Sequence, residues 1–181
     1  FVAINLGNIL ALSNKKVVLM ELDLRKPGLS AKLGISNKLG FTNYVIDSSV
    51  QMNEIVKPLG IHKDLFIVSS GPIPPNPAEM IMSQRTVALI EYLKQEFDYV
   101  IIDAPPVGVV TDAQLLSKDA DFCMYLIRQN YTFKQQLNII EDLRKAEKMK
   151  NLGIVVNDIQ ASTATATATA TVMATVMDLM V

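Results

Sequence analysis

The chain has 181 residues, half of them apolar, and 17 basic against 18 acidic side chains leave a net charge of −1. That length suits one domain with a sizeable core, and the near-cancelling charge excludes a global field that gathers nucleic acid, so phosphate binding must come from local geometry. The lone cysteine, Cys123, excludes an internal disulfide and fits a reducing compartment, while no apolar run reaches the ~18 residues of a membrane span.

Residues 1–16 open as if in mid-helix, with Val2, Leu6, Ile9 and Leu10 at helical spacing and an end near Ser13-Asn14. Beginning on Phe1 with no signal-peptide pattern, the chain is expected to be a fragment of a longer polypeptide. VVLME (17–21) predicts a buried strand, which LDLRKPGL leaves at Pro27-Gly28. Residues 38–47 predict a loop and a short helix begun at Thr42, and LFIVSSG (65–71) predicts a second strand. NPAE (76–79) predicts a helix start, with Asn76 as N-cap, Pro77 in the first helical position and Glu79 closing a capping box. That helix is expected to run to about Phe97. DYVIIDAPP (98–106) predicts the third strand, residues 111–118 a short helix and FCMYLIR (122–128) the fourth strand. Residues 132–149 predict a helix with Leu137, Ile140 and Leu143 on one side, and LGIVVND (152–158) the last strand.

Apolar strands alternating with amphipathic helices predict an α/β fold with a parallel sheet covered by helices on both faces. Ligands in such sheets sit beyond the carboxyl ends of the strands. Glu21, Asp23 and Arg25 follow the first strand, Ser69, Ser70 and Gly71 the second, and Asp103, Pro105 and Pro106 the third. Arg128 follows the fourth, and Asn157 and Asp158 the last. Acids therefore converge on one edge of the sheet.

An apolar strand ending in Asp, as in VIIDAPP, has the form of a Walker B element, whose Asp holds Mg²⁺ beside a nucleotide phosphate. Strands also end in Asp for turn reasons alone. In an extended chain Glu21, Asp23 and Arg25 share one side. A carboxylate pair there can hold Mg²⁺ and take a proton from an attacking hydroxyl. The plainer alternative is a solvated ion pair of Asp23 with Arg25 or Lys26. His62, in a polar loop, reads as a surface residue; Cys123 and Met80, Met82, Met124 and Met149 read as packing. The basic stretch 144–150 reads as a solvated face or a contact with a neighbouring subunit.

VVLMELDLRKPGLSAKLGI, GPIPPNPAEMI and FDYVIIDAPPVGVVTDAQLLSKDAD, in that order, closely resemble the bacterial tyrosine kinases, in which a P-loop ATPase domain is joined to a polysaccharide co-polymerase. The resemblance runs from Phe1 to about Gln160 and implies a P-loop NTPase-like fold of the partition-ATPase type, lacking its first strand and phosphate loop. It implies ATP and Mg²⁺ as cofactors and autophosphorylation of a C-terminal tyrosine cluster. It also implies a homo-oligomer, a ring in this family, a membrane-embedded co-polymerase segment, fused or separate, as partner, and a place on the cytoplasmic side of the bacterial inner membrane. The process implied is capsular and exopolysaccharide synthesis and export. The family's Asp-x-Asp-x-Arg reads here Glu21-Leu22-Asp23-Leu24-Arg25. Glu21, Asp23 and Arg25 thus map onto catalytic positions, Asp23 and Asp103 onto Mg²⁺ positions, and Arg128, Asn157 and Asp158 onto nucleotide contacts. Without a Gly-rich loop ending in Lys-Ser/Thr, residues 1–160 are expected to be a partial kinase domain that binds ATP poorly.

Residues 161–181 form a low-complexity tail in which Thr and Ala alternate from Thr163 to Thr171, followed by Val and Met. Written as ACG GCT codons and read one base earlier, Thr-Ala repeats become TAC GGC, Tyr-Gly. Val, Met and Asp fall on the same two beats, and the pattern fails only near Leu179. A frameshift near Ala161-Ser162 that hides a tyrosine cluster is the expectation; a true Thr/Ala tail, β-prone and low in charge, is the alternative. The competing functions are a partition or division-site type ATPase, in which ATP gates dimerisation, and a non-catalytic docking scaffold.

Overall fold

The computed structural model describes residues 1–107, 112–146, 149 and 151–160. They fall into two compact units, Phe1–Asp119 and one that begins at Ala120.

The first unit is built on a four-stranded sheet. Its strands are β1 (Val17–Glu21), β2 (Val56–Pro58), β3 (Leu65–Val68) and β4 (Tyr99–Asp103), in the order β2-β3-β1-β4. β1 is parallel to β3 and to β4, with Val17 beside Leu65 and Tyr99, and Glu21 beside Asp103. All five residues of β1 are buried, which is why it is apolar without alternation until Glu21. Its side chains still alternate between faces. Leu19 joins Leu65 and Ile101 beneath helix α1 (Val2–Leu12), whose Gly7 leaves no room for a side chain: a Cβ there would sit 2.8 Å from Leu19 Cδ2. Val18, Met20, Val68 and Val100 belong to the main core with Phe41, Leu89, Ile90 and Leu93. The α/β class, the mostly parallel sheet and the helices on both faces are as expected.

β2 was not anticipated. It is three residues long, pairs antiparallel with β3 and ends in Pro58, as an edge strand can. Nor were the short helices α2 (Leu29–Lys32) and α4 (Met52–Ile55), whereas α3 (Phe41–Ile46) lies where a helix was expected.

The helix expected from Asn76 to Phe97 is two helices, α5 (Pro77–Ile81) and α6 (Gln84–Glu96). Ser83 causes the break. Its hydroxyl accepts the Thr86 amide at 3.1 Å and so caps α6, while the Thr86 hydroxyl donates to Met80 O at 2.6 Å. Asn76 and Pro77 take the expected positions, but the capping box does not form: the Asn76 amide donates to the Glu79 carboxylate instead of the side chain accepting a helix N–H. α7 (Asp112–Leu116) follows β4 in sequence.

In the second unit β5 (Cys123–Arg128) and β6 (Leu152–Asn157) pair in parallel, Cys123 beside Leu152 and Arg128 beside Asn157. Helix α8 (Leu137–Lys145) is shorter than the 132–149 expected, because residues 134–136 form a 3₁₀ turn before it. Of the expected apolar side only Leu143 is fully buried, and Leu137 is exposed. The Thr/Ala tail and its proposed reading frame lie outside the described residues.

Candidate functional site

β1 and β4 run side by side and end together. The Leu22 amide donates to Asp103 O at 2.9 Å, extending the ladder one step past the strands. This brings Glu21, Asp23 and Asp103 to one sheet edge, as the strand ends predicted.

The three acids have different surroundings. Glu21 is fully buried. Its Oε1 accepts the Leu29 amide at 2.6 Å and the Ser30 amide at 3.1 Å, and its Oε2 accepts the Ser70 amide at 3.1 Å. Burial alone would raise its pKa. The Ser70 amide, the Ser30 hydroxyl and the amides of Ser30 and Leu29 outweigh that and hold the carboxyl below its ordinary value. A catalytic base must offer a lone pair to an incoming hydroxyl; both Glu21 oxygens are already engaged and shielded from solvent. The surroundings of Glu21 therefore depart from those its expected catalytic position requires.

Asp23 is half-buried, and its Oδ1 accepts the Lys26 amide at 3.1 Å, closing a local turn. Asp103 is also half-buried. Burial pushes its carboxyl up, and the Asp23 and Glu21 carboxylates add to this. Two half-exposed carboxylates, both hard oxygen donors, suit Mg²⁺, which keeps several waters and takes one or two carboxylates beside substrate phosphates. Among the described residues no three Asp, Glu, His or Cys side chains are grouped as an all-protein metal cage.

Arg25 does not pair with Asp23. Its guanidinium forks onto Asp112, Nε to Oδ2 at 2.8 Å and Nη2 to Oδ1 at 3.2 Å. Asp112 is almost fully buried at the start of α7, so this pair ties the loop after β1 to the helix after β4. Asp112 is a site residue the sequence reading missed; its signal was an Asp opening a helix soon after a Walker B-like strand.

A second missed group lies beside Glu21. Asn37 Oδ1 accepts the Gly71 amide at 2.7 Å and Asn37 Nδ2 donates to Gly71 O at 2.9 Å, while the single proton of the Thr42 hydroxyl is shared between Ser70 O and, at 2.8 Å, Pro72 O. Gly71 has φ +78°, and a Cβ there would lie 2.5 Å from Thr42 Oγ1. Residues this far apart in sequence carry no spacing signal.

In the second unit Arg128 pairs with Asp158, Nη2 to Oδ2 at 2.6 Å, and its guanidinium lies 5.3 Å from the Tyr131 ring centre. Asn157 ends β6 beside Arg128, and Asp158 takes a left-handed φ of +59°. Arg128, Asn157 and Asp158 are thus brought together. The Arg128–Asp158 pair is exposed on both sides.

His62 lies half-buried, its Nδ1 accepting the Asp64 amide at 3.2 Å. Cys123 is buried, and burial pushes its thiol up, away from reactivity. A cavity of ≈ 450 Å³ lined by Tyr44, Met52, Arg85 and Tyr92 among others includes none of the three acids.

The AAA domain family matches residues 1–156, which include both carboxylate strand ends, all of β1–β5 and all of β6 but Asn157. The chain belongs to that family. Its relatives in the family are bacterial tyrosine kinases. Tyrosine-protein kinase YwqD of Bacillus subtilis is 36% identical over 155 residues, 86% of this chain and 65% of YwqD. Tyrosine-protein kinase ptk of Acinetobacter johnsonii is 30% identical over 164 residues, 91% of this chain and 22% of ptk. The chain therefore spans about two-thirds of one of these relatives and under a quarter of the other. Among solved structures, the chimerical protein CapA2B2 superposes with TM-score 0.81 at 32% identity, over 88% of this chain and 70% of that one. The kinase domain of the Escherichia coli tyrosine kinase ETK follows at 0.80 and 24%, over 89% and 62%. The septum site-determining protein MinD of Pyrococcus horikoshii, complexed with Mg-ADP, shares the fold at 0.70 and 17%, over 90% and 65%. An AAA domain of P-loop ATPase fold implies nucleotide binding. Among the described residues no helix is long and apolar enough to cross a membrane.

Proposed function

We propose that this domain belongs to an autophosphorylating protein-tyrosine kinase that transfers the γ-phosphoryl group of ATP to tyrosines of a C-terminal cluster. The observation that supports it is that Asp23, two residues past the end of β1, and Asp103, at the end of the adjacent parallel strand β4, come to one end of the sheet, in a chain whose relatives are tyrosine kinases. Asp23 and Asp103 would hold Mg²⁺, which when bound offsets the charge on the transferred phosphoryl group. Arg25, clamped by Asp112, keeps the loop that carries Asp23 against the start of α7. Arg128, Asn157 and Asp158 form the nucleotide-contact group in this reading.

The same reading places the protein at the cytoplasmic face of the bacterial inner membrane, as a homo-oligomer with a membrane co-polymerase segment, in capsular or exopolysaccharide synthesis and export. Residues 1–181 contain no Gly-x₄-Gly-Lys-Ser/Thr loop, and by themselves they bind ATP weakly. Micromolar binding of ATP to this chain in a calorimetric titration refutes that part. The tail is read as an out-of-frame tyrosine-glycine cluster; an expressed Thr-Ala repeat confirmed by sequencing the gene and the protein refutes that.

The test of the activity is label from γ-³²P-ATP in the full-length gene product carrying this domain. Label on tyrosine, lost by ~100-fold or more in Asp103→Asn, supports the kinase. Release as inorganic phosphate without labelled tyrosine favours a partition-type ATPase, and neither product favours a docking scaffold.

A further inference from the structure

Glu21 is the one acid of the sheet edge with no solvent exposure. It also differs from the other two in what it holds. One oxygen takes two successive amides at the start of α2, Leu29 at 2.6 Å and Ser30 at 3.1 Å. The other takes the Ser70 amide, just past the end of β3, at 3.1 Å. Those anchor points bracket the active loop. Residues 22–28, with Asp23 and Arg25, run from Glu21 itself to the amides that Glu21 binds, so the side chain closes the loop onto its own root. On the far side Ser70 belongs to the Asn37–Gly71–Thr42 network, in which Asn37 bonds both the amide and the carbonyl of Gly71 and the Thr42 hydroxyl bonds Ser70 O. The carboxylate therefore joins the loop after β1 to the loop after β3.

The reach of the side chain matters. Asp at this position is one methylene shorter, about 1.5 Å by ordinary bond lengths. It cannot serve amides on two separate segments from the same strand position. A group occupied on both oxygens is built to hold its neighbours rather than to receive a proton.

We propose that Glu21 is a positioning residue: its carboxylate ties the 22–28 loop to the end of β3 and so sets Asp23 at the sheet edge, and it does not accept the proton of the attacking hydroxyl. The catalytic part of this inference rests on the kinase reading; the tethering part does not.

The test compares Glu21→Gln with Glu21→Asp in the full-length gene product, at a temperature well below unfolding. Gln keeps the length and one acceptor oxygen for the Leu29 and Ser30 amides, loses the charge, and sets its own NH2 donor against the Ser70 amide in place of that bond. Asp keeps the charge and loses the reach. Positioning predicts that Glu21→Gln retains phosphoryl transfer within ~10-fold while Glu21→Asp loses more, with a several-fold rise in the Mg²⁺ concentration for half-maximal rate as Asp23 shifts. A general base contributes about 10²–10⁴-fold, so a base predicts the reverse order, with Gln dead and Asp active; that order overturns the proposal. A second readout is independent of activity. Hydrogen–deuterium exchange at Leu29, Ser30 and residues 22–28 should rise at least ~10-fold in Glu21→Asp. Unchanged exchange there in both variants overturns the tether. If the wild type transfers no phosphate, the kinase reading fails and the exchange data alone decide the tether.

Discussion

The carboxyl ends of β1 and of β5–β6 both carry charged residues, and they are built in opposite ways. At β1, Glu21 is fully buried and accepts amides from two segments, and the guanidinium of Arg25 forks onto the buried Asp112. At β5–β6, Arg128 meets Asp158 with both side chains about half exposed. A buried charge must have its partners fixed in place or the fold loses several kcal/mol; an exposed pair is interchangeable with water. The first arrangement holds a loop in one geometry, and the second leaves its groups free to exchange solvent for a ligand.

The sharpest way to break that contrast is Glu21→Leu. It strands three buried amides, and at about 1–3 kcal/mol each the cost is expected to reach about 3 kcal/mol or more in chemical denaturation. Gly71→Ala should follow, at about 2 kcal/mol or more, because φ +78° and the Thr42 contact both oppose a Cβ. Asp112→Ala removes the acceptor of Arg25 and leaves a cavity at the head of α7; about 1–2 kcal/mol is expected by the same method. Arg128→Ala should lie within about 0.5 kcal/mol, as exposed pairs do. A loss from Arg128→Ala as large as that from Asp112→Ala would abolish the distinction between the two regions.

Acid titration sharpens it within one region. Glu21 and Asp103 sit side by side in the β1–β4 register, yet shift oppositely. Glu21 lies below its ordinary 4.5, so its contribution is present above that pH and is lost as pH falls through the depressed value. Asp103 lies above its ordinary 3.8, so it opposes folding increasingly as pH rises through the raised value. Melting temperature measured from neutral to acid pH should fall less steeply in Glu21→Gln than in the unaltered chain. In Asp103→Asn it should lose its small gain on mild acidification.

Strands buried on both faces were the most legible elements, because such strands are short uninterrupted apolar runs and β1, β3 and β4 have that form. β2 was not legible: three residues ending in Pro58 have no period to read. The break at Ser83 was written in the sequence as a Ser three residues before Thr86, but the helical pattern on both sides concealed it. At the site, the strand rule placed Glu21, Asp23 and Asp103 together. It could not distinguish them, since burial and amide donors come from residues 29, 30 and 70.

The sequence by itself determined the α/β class, the kinase resemblance and the acids at the strand ends, because these depend on local apolar runs and on residues adjacent to them. Only the tertiary structure decided the surroundings of each acid there. Whether a carboxylate is buried beneath amides, left half-exposed or engaged by an arginine fork depends on which distant amides and guanidinium groups fold against it. Asp112 lies 87 residues from Arg25 and the Ser70 amide 49 residues from Glu21, and no spacing rule spans such distances.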